Sequence, residues 1–153
     1  SRFLSRFHDL KEFDDFTKNF ISNPDTRIGL PLLLKEEIHG FGFALACDFL
    51  KENVNPKFVK PDTHIKDIFK GICISKSNAS DFEVFTDVVK FSECICEVPY
   101  RVDKLFWLVG SGKFYLQRIG TKENGELKTL EVRTDKRHFI EAINKKYGEK
   151  LAC

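Results

Sequence analysis

Residues Ile38–Leu50, IHGFGFALACDFL, decide how the chain is read. Gly40 and Gly42 flank Phe41, and small residues follow. Glycine permits positive φ and removes the Cβ that would block a close approach. LLLKEEI (32–38) can form a short helix after Pro31, and FALACDFLKEN (43–53) a second one, with Ala44, Ala46 and Cys47 small enough to admit another backbone. Residues 31–53 thus read as helix, tight turn, helix. The second helix starts at the turn, so its free amides point outward as an anion site built from backbone alone. Such amides can hold a DNA phosphate without reading sequence. A plain interhelix turn is the competing reading. A dinucleotide-binding loop is discarded. It needs a preceding strand and a third glycine three positions past Gly42, where Leu45 stands.

Outward from this stretch the chain reads as mainly helical. In residues 8–23, Leu10, Phe13, Phe16, Phe20 and Ile21 follow the spacing of one apolar helix face. Asn23–Pro31 carries turn chemistry, and Val54–Pro61 reads as a loop holding two prolines. Asp62 stands where an N-cap belongs, ahead of THIKDIFKGI. A helix is expected from near Ser80 through residues 82–98, and another from Pro99, ended by Gly110 and Gly112. KFYLQRIG (113–120) and LKTLEVR (127–133) are strand-like around an Asn-Gly turn signal and predict a hairpin. A last amphipathic helix, Asp135–Tyr147, places Phe139, Ile140, Ile143 and Tyr147 on one face. Residues 1–116 are expected to form one helical domain, with 117–153 in that domain or a small appendage to it. No internal repeat interrupts this order.

Of the 153 residues, 42% are hydrophobic, enough for a core, and 25 basic against 23 acidic side chains leave a net charge of +2. That excludes a polybasic tail protein but allows a local basic face. No run of about 18 apolar residues exists, so no membrane span is expected. Five cysteines at irregular spacing argue for reduced thiols and a cytoplasmic setting. Cys94 and Cys96 lack a second pair at ligand spacing, so no metal site is expected. GSGK (110–113) fails as a phosphate loop, because Trp107 and Phe114 stand where that pattern needs glycine and Ser or Thr. The chain holds no methionine, which suggests a fragment or a processed chain.

Three motifs in order resemble the helix-hairpin-helix DNA glycosylase superfamily, the endonuclease III-like base-excision enzymes. Ile38-His39-Gly40-Phe41-Gly42 matches a hairpin of the type L-P-G-V-G, with His39 in place of proline. Lys60-Pro61-Asp62-Thr63-His64-Ile65 matches a V-D-T-H-[VI] segment, and Asp62 follows Gly40 by 22 positions. VPYRVDKLFWLVGSGKFY (98–115) matches the later helix of the type V-D-x-x-x-W-L-I-x-x-G-R-Y. The likeness spans about residues 31–116. It implies a helical base-excision domain binding double-stranded DNA by non-sequence-specific backbone contacts. The implied chemistry is hydrolysis of the bond between a flipped, damaged base and its sugar.

In that scheme Asp62 is the catalytic carboxylate, stabilising the oxocarbenium-like sugar and orienting water. Gly40, Phe41, Gly42 and Ala44 are the implied phosphate contacts; Lys60 and Lys66, with Lys57 and Lys70, surround the Asp62 segment and could meet phosphates or form an ordinary solvated face. Bifunctional members carry a nucleophilic lysine two positions after the second hairpin glycine. Ala44 stands there, so lysine-based lyase chemistry is expected to be absent. Cluster-bearing members place four cysteines after the W-L-I helix. Here only Cys153 follows, so no iron–sulfur cluster and no other cofactor is expected. The family also places several helices before its hairpin, where this chain has few residues. His64 and Trp107 are expected to pack rather than to react or stack on bases. The alternatives are a non-catalytic binding module that keeps the hairpin, and a helical interaction domain without a DNA role.

Overall fold

The computed structural model describes residues 2–123, 126–133 and 135–148. A 3-10 turn, Leu4–Arg6, precedes α1 (Leu10–Ile21). The Asp9 carboxylate caps α1 by accepting from Glu12 N, while Glu12 accepts from His8 N. Phe13, Phe16 and Phe20 face inward; Phe13 and Phe16 meet Phe3 and Phe7 at ring-centroid distances of 5.2–6.2 Å, and Phe20 packs on Phe16. These tilted and edge-on contacts fold the N-terminal turn back over α1.

Residues 23–31 do not form the expected turn. Asn23 caps a short α2 (Pro24–Arg27), and α3 already begins at Gly29, running to Glu37. The reason is positional. Pro24 and Pro31 both lie in a first helical turn, where the missing N–H has no helical partner to lose. Arg27 is buried and donates to the Lys57 carbonyl, the Ile21 carbonyl and Glu93, tying α2 to more distant parts of the chain.

Next come α4 (Phe43–Asn53), α5 (Thr63–Gly71), α6 (Asp81–Cys94) and α7 (Pro99–Gly110). Ser80 and Glu83 close a capping box at the start of α6. This helix stops four residues short of the expected end. Cys96 adopts the left-handed region at φ 56°, and its amide and that of Glu97 bond back to Glu93 and Ser92. Val98 must then be extended because Pro99 follows it.

Strands β1 (Leu116–Glu123) and β2 (Glu126–Arg133) pair antiparallel, with Leu116 opposite Arg133 and Glu123 opposite Glu126. The Asn-Gly turn, residues 124 and 125, lies outside the described residues. Helix α8 (Lys136–Tyr147) follows Asp135, whose carboxylate accepts from the Arg137 and His138 amides.

The chain is mainly helical, and its core follows the helix periodicity. Leu30 and Leu34 of α3, Ala46, Cys47 and Leu50 of α4, and Ile65, Ile68 and Phe69 of α5 are buried. Val84, Phe85, Val88 and Val89 of α6 and Val102, Phe106 and Val109 of α7 join them. Two glycines set how closely helices approach. A Cβ at Gly110 would stand 2.6 Å from His64 Cβ, so α7 lies directly on α5. A Cβ at Gly71 would meet Ile140 at 2.7 Å, and Asn144 donates to the Gly71 carbonyl, which seats α8 on the end of α5. Among the described residues no helix is long and apolar enough to cross a membrane.

Candidate functional site

The hairpin stretch forms two helices joined by a short turn. The Ile38 amide bonds to the Leu34 carbonyl, and the Phe41 amide to the Ile38 carbonyl. Gly40 holds φ at 78°, which favours glycine. Gly42 differs. Its φ is −69°, any residue could adopt it, and no atom lies within 4 Å of where a Cβ would stand. The fold itself therefore has no need for glycine at 42. Gly42 is also the N-cap of α4 and supplies no side-chain cap, so the Phe43, Ala44 and Leu45 amides are left without one.

Asp62 is the N-cap of α5. One carboxylate oxygen accepts from Ile65 N at 3.0 Å. Its other oxygen has no partner among the described residues. The carboxylate lines a pocket of about 210 Å³ with Asp48 and Lys51 of α4, Lys60, and Asp103, Lys104 and Trp107 of α7. Asp48 lies six residues past Gly42, about 9 Å along α4. Ala44 lies one turn before Asp48 on the same face. The hairpin and Asp62 segment are thus joined through α4.

Asp103 organises this pocket. Its side chain is 3% exposed; it accepts from Lys60 N at 2.5 Å and from Lys51 Nζ at 3.2 Å. Lys60 in turn accepts from the Asp62 amide at 2.8 Å, so Asp103 fixes the backbone two residues before the capping carboxylate. Burial pushes the Asp103 carboxyl above the ordinary aspartate range, against the pull of Lys51 and the Lys60 amide. Burial also opposes the charge on Lys51. Asp103 and Asp48 outweigh it and hold the lysine above its ordinary value.

The two lysines expected to meet phosphates are engaged elsewhere. Lys60 Nζ lies 3.1 Å from Asp48, and Lys66 Nζ 2.8 Å from Asp81. Their charges are matched within the chain, which costs them reach towards an external anion. His64 packs against Gly110, and its Nδ1 is buried without a hydrogen bond. Trp107 is not wholly in the core. It packs against the core on one side and lines the pocket on the other, with Lys104 and Lys113 ammonium groups 5.0 and 4.8 Å from its ring centroid.

Sequence reasoning missed Asp48, Lys51, Asp103 and Lys104. For Asp103 a signal existed: a lone carboxylate inside the apolar face of PYRVDKLFWLV. Asp48 and Lys51 carried only an ordinary helix spacing. Cys47 is buried, while Cys73, Cys94 and Cys96 are exposed, and among the described residues none of the four is in a disulfide. Burial, then the nearby Asp103, Asp81 and Asp48, push the Cys47 thiol up, so it is not primed as a nucleophile. Among the described residues, no cluster of three or more His, Cys, Asp or Glu is placed to hold a metal ion. No known protein family, curated protein or solved structure matches the chain.

Proposed function

We propose that α3, the Gly40–Gly42 turn and α4 form a helix-hairpin-helix that binds double-stranded DNA through its backbone, and that Asp62 gives this domain hydrolytic N-glycosylase chemistry. One observation carries the reading: α4, which starts at the side-chain-free Gly42, also lines the pocket that holds the Asp62 carboxylate. A turn that positions DNA and a carboxylate that acts on it must be rigidly linked, and one helix links them. Gly42 supports the same reading, since nothing inside the fold fills the space that a side chain there would take.

The reaction needs a fixed negative charge beside the sugar carbon as the bond to the base breaks. The base leaves with the bonding pair and takes up a proton. A water oxygen bonds to the sugar carbon and gives a proton up. Asp62 has one oxygen committed to the α5 amide and a second left for this work. Ala44 has no amine, so no Schiff base forms from that position, and the proposed activity stops at base release.

A second reading, a non-catalytic helix-hairpin-helix module, is favoured by the pocket's size. About 210 Å³ falls below the roughly 300–1,000 Å³ of most small-ligand sites. Asp62→Asn separates the two readings, because asparagine caps a helix about as well as aspartate and so keeps α5 intact. The enzyme reading predicts that this variant binds duplex DNA normally and loses base release by about 100-fold or more, the scale set by removing one electrostatic group. A wild-type protein that binds duplex in a salt-dependent way but frees no base from any damaged duplex would leave the binding module. In that case Gly42→Val should weaken binding and Asp62→Asn should not. A flat titration at low salt would sink both.

A further inference from the structure

Trp107 sits at the rim of the Asp62 pocket with two cations over its ring. Lys104 precedes it by three residues on α7. Lys113 is carried by the segment just past that helix, whose amides at 113 and 114 both bond back to the Leu108 carbonyl. Lys51 and Lys60 face Asp103 and Asp48, but among the described residues Lys104 and Lys113 have no carboxylate in salt-bridge range. Phe114, next to Lys113, is 54% exposed. Unmatched lysines beside the partly buried Trp107 and the exposed Phe114 are the chemistry that holds unpaired nucleic-acid strands. The bases stack on rings and the phosphates meet ammonium groups.

We infer that Trp107, Lys104 and Lys113 form a contact for unpaired nucleotides of DNA beside the Asp62 pocket. This rests on the DNA-binding reading above and names the part of the DNA that this face receives. A base takes one face of the Trp107 ring. The lysine it displaces turns on its flexible stem to the adjoining phosphate. The site therefore selects disrupted strands over intact duplex, whose stacked bases offer no free face.

Trp107 is the only tryptophan in the chain, so its emission reports on this face alone. The test adds a dye-labelled dT oligonucleotide of about ten residues, or a duplex with one unpaired thymidine, to the full chain. Tryptophan emission and dye anisotropy are read together, beside an unbroken duplex. Quenching of Trp107 should track binding. The exposed double variant Lys104→Gln/Lys113→Gln should bind about tenfold more weakly. Its dependence on log salt should be shallower by about 1.4, at roughly 0.7 for each single-strand phosphate that a lysine no longer neutralises. Binding without a change in Trp107 emission overturns the inference and leaves the duplex reading standing. Quenching by dT with no binding of unbroken duplex keeps the inference and removes the hairpin reading. Silence in both signals overturns both.

Discussion

Replacing Asp103 by asparagine removes the charge that Lys51 is buried against. The Lys51 side chain is 7% exposed and that of Asp103 3%, so water cannot compensate. Removing one partner of such a pair costs about 3–5 kcal/mol. Two features lower the figure here. Asparagine keeps an oxygen for the Lys60 amide, and Asp48 and Glu52 remain 3.4 and 3.6 Å from Lys51. The expected loss is about 2 kcal/mol for Asp103→Asn. For Asp103→Leu it is about 4 kcal/mol, because the Lys60 amide also loses its acceptor. In urea, with a slope of about 2 kcal/mol per molar, the midpoint should fall by about 1 M and 2 M respectively. The pH dependence has a definite sign. Burial raises the Asp103 carboxyl in the folded state, so the fold binds this proton more tightly than the unfolded chain does. That stability is complete below the unfolded value and is lost as pH rises through the folded one. At neutral pH this cost of ionising Asp103 opposes the pairing with Lys51, a further reason why the loss for Asp103→Asn lies below that of a fully compensated buried pair. Midpoints for both variants within about 0.2 M of wild type, at unchanged slope, would refute the picture of Asp103 as the hub of the pocket.

Two further substitutions test the packing around the site. Gly110→Ala places a methyl 2.6 Å from His64 Cβ, and overpacking of about 1–3 kcal/mol should outweigh the small gain in helix propensity. Calorimetry should show a melting temperature lower by about 3–6 °C, and a rise would mean that α5 and α7 are not in contact there. Cys96→Gly relieves a left-handed residue at an exposed helix end. Denaturation should show a net gain of about 0.5–1 kcal/mol, and a loss would argue against that backbone geometry.

Much of the helical framework was legible because local chemistry writes it. The Asp62 cap, the Ser80 start and the Asp135 cap each satisfy amides that a helix cannot satisfy itself, and Pro99 opens α7 by having no amide to satisfy. The exceptions arose where one residue type serves two ends. Proline marked a turn at 23–31 but sits harmlessly in the first turns of α2 and α3. A cysteine closed α6 in a conformation usually left to glycine.

The sequence by itself determined that residues 31–53 are two helices around a glycine turn, that Asp62 starts a helix, and that position 44 carries no amine. Those are matters of spacing along the chain. Only the tertiary structure decided which charges are free. Lys60 and Lys66, near Asp62 in sequence, are neutralised by Asp48 and Asp81 on other helices. Lys104 and Lys113 meet over Trp107 because α7 and the turn beyond it fold together there. Ion pairing depends on distances of a few ångströms between helices, and no pattern along the chain records them.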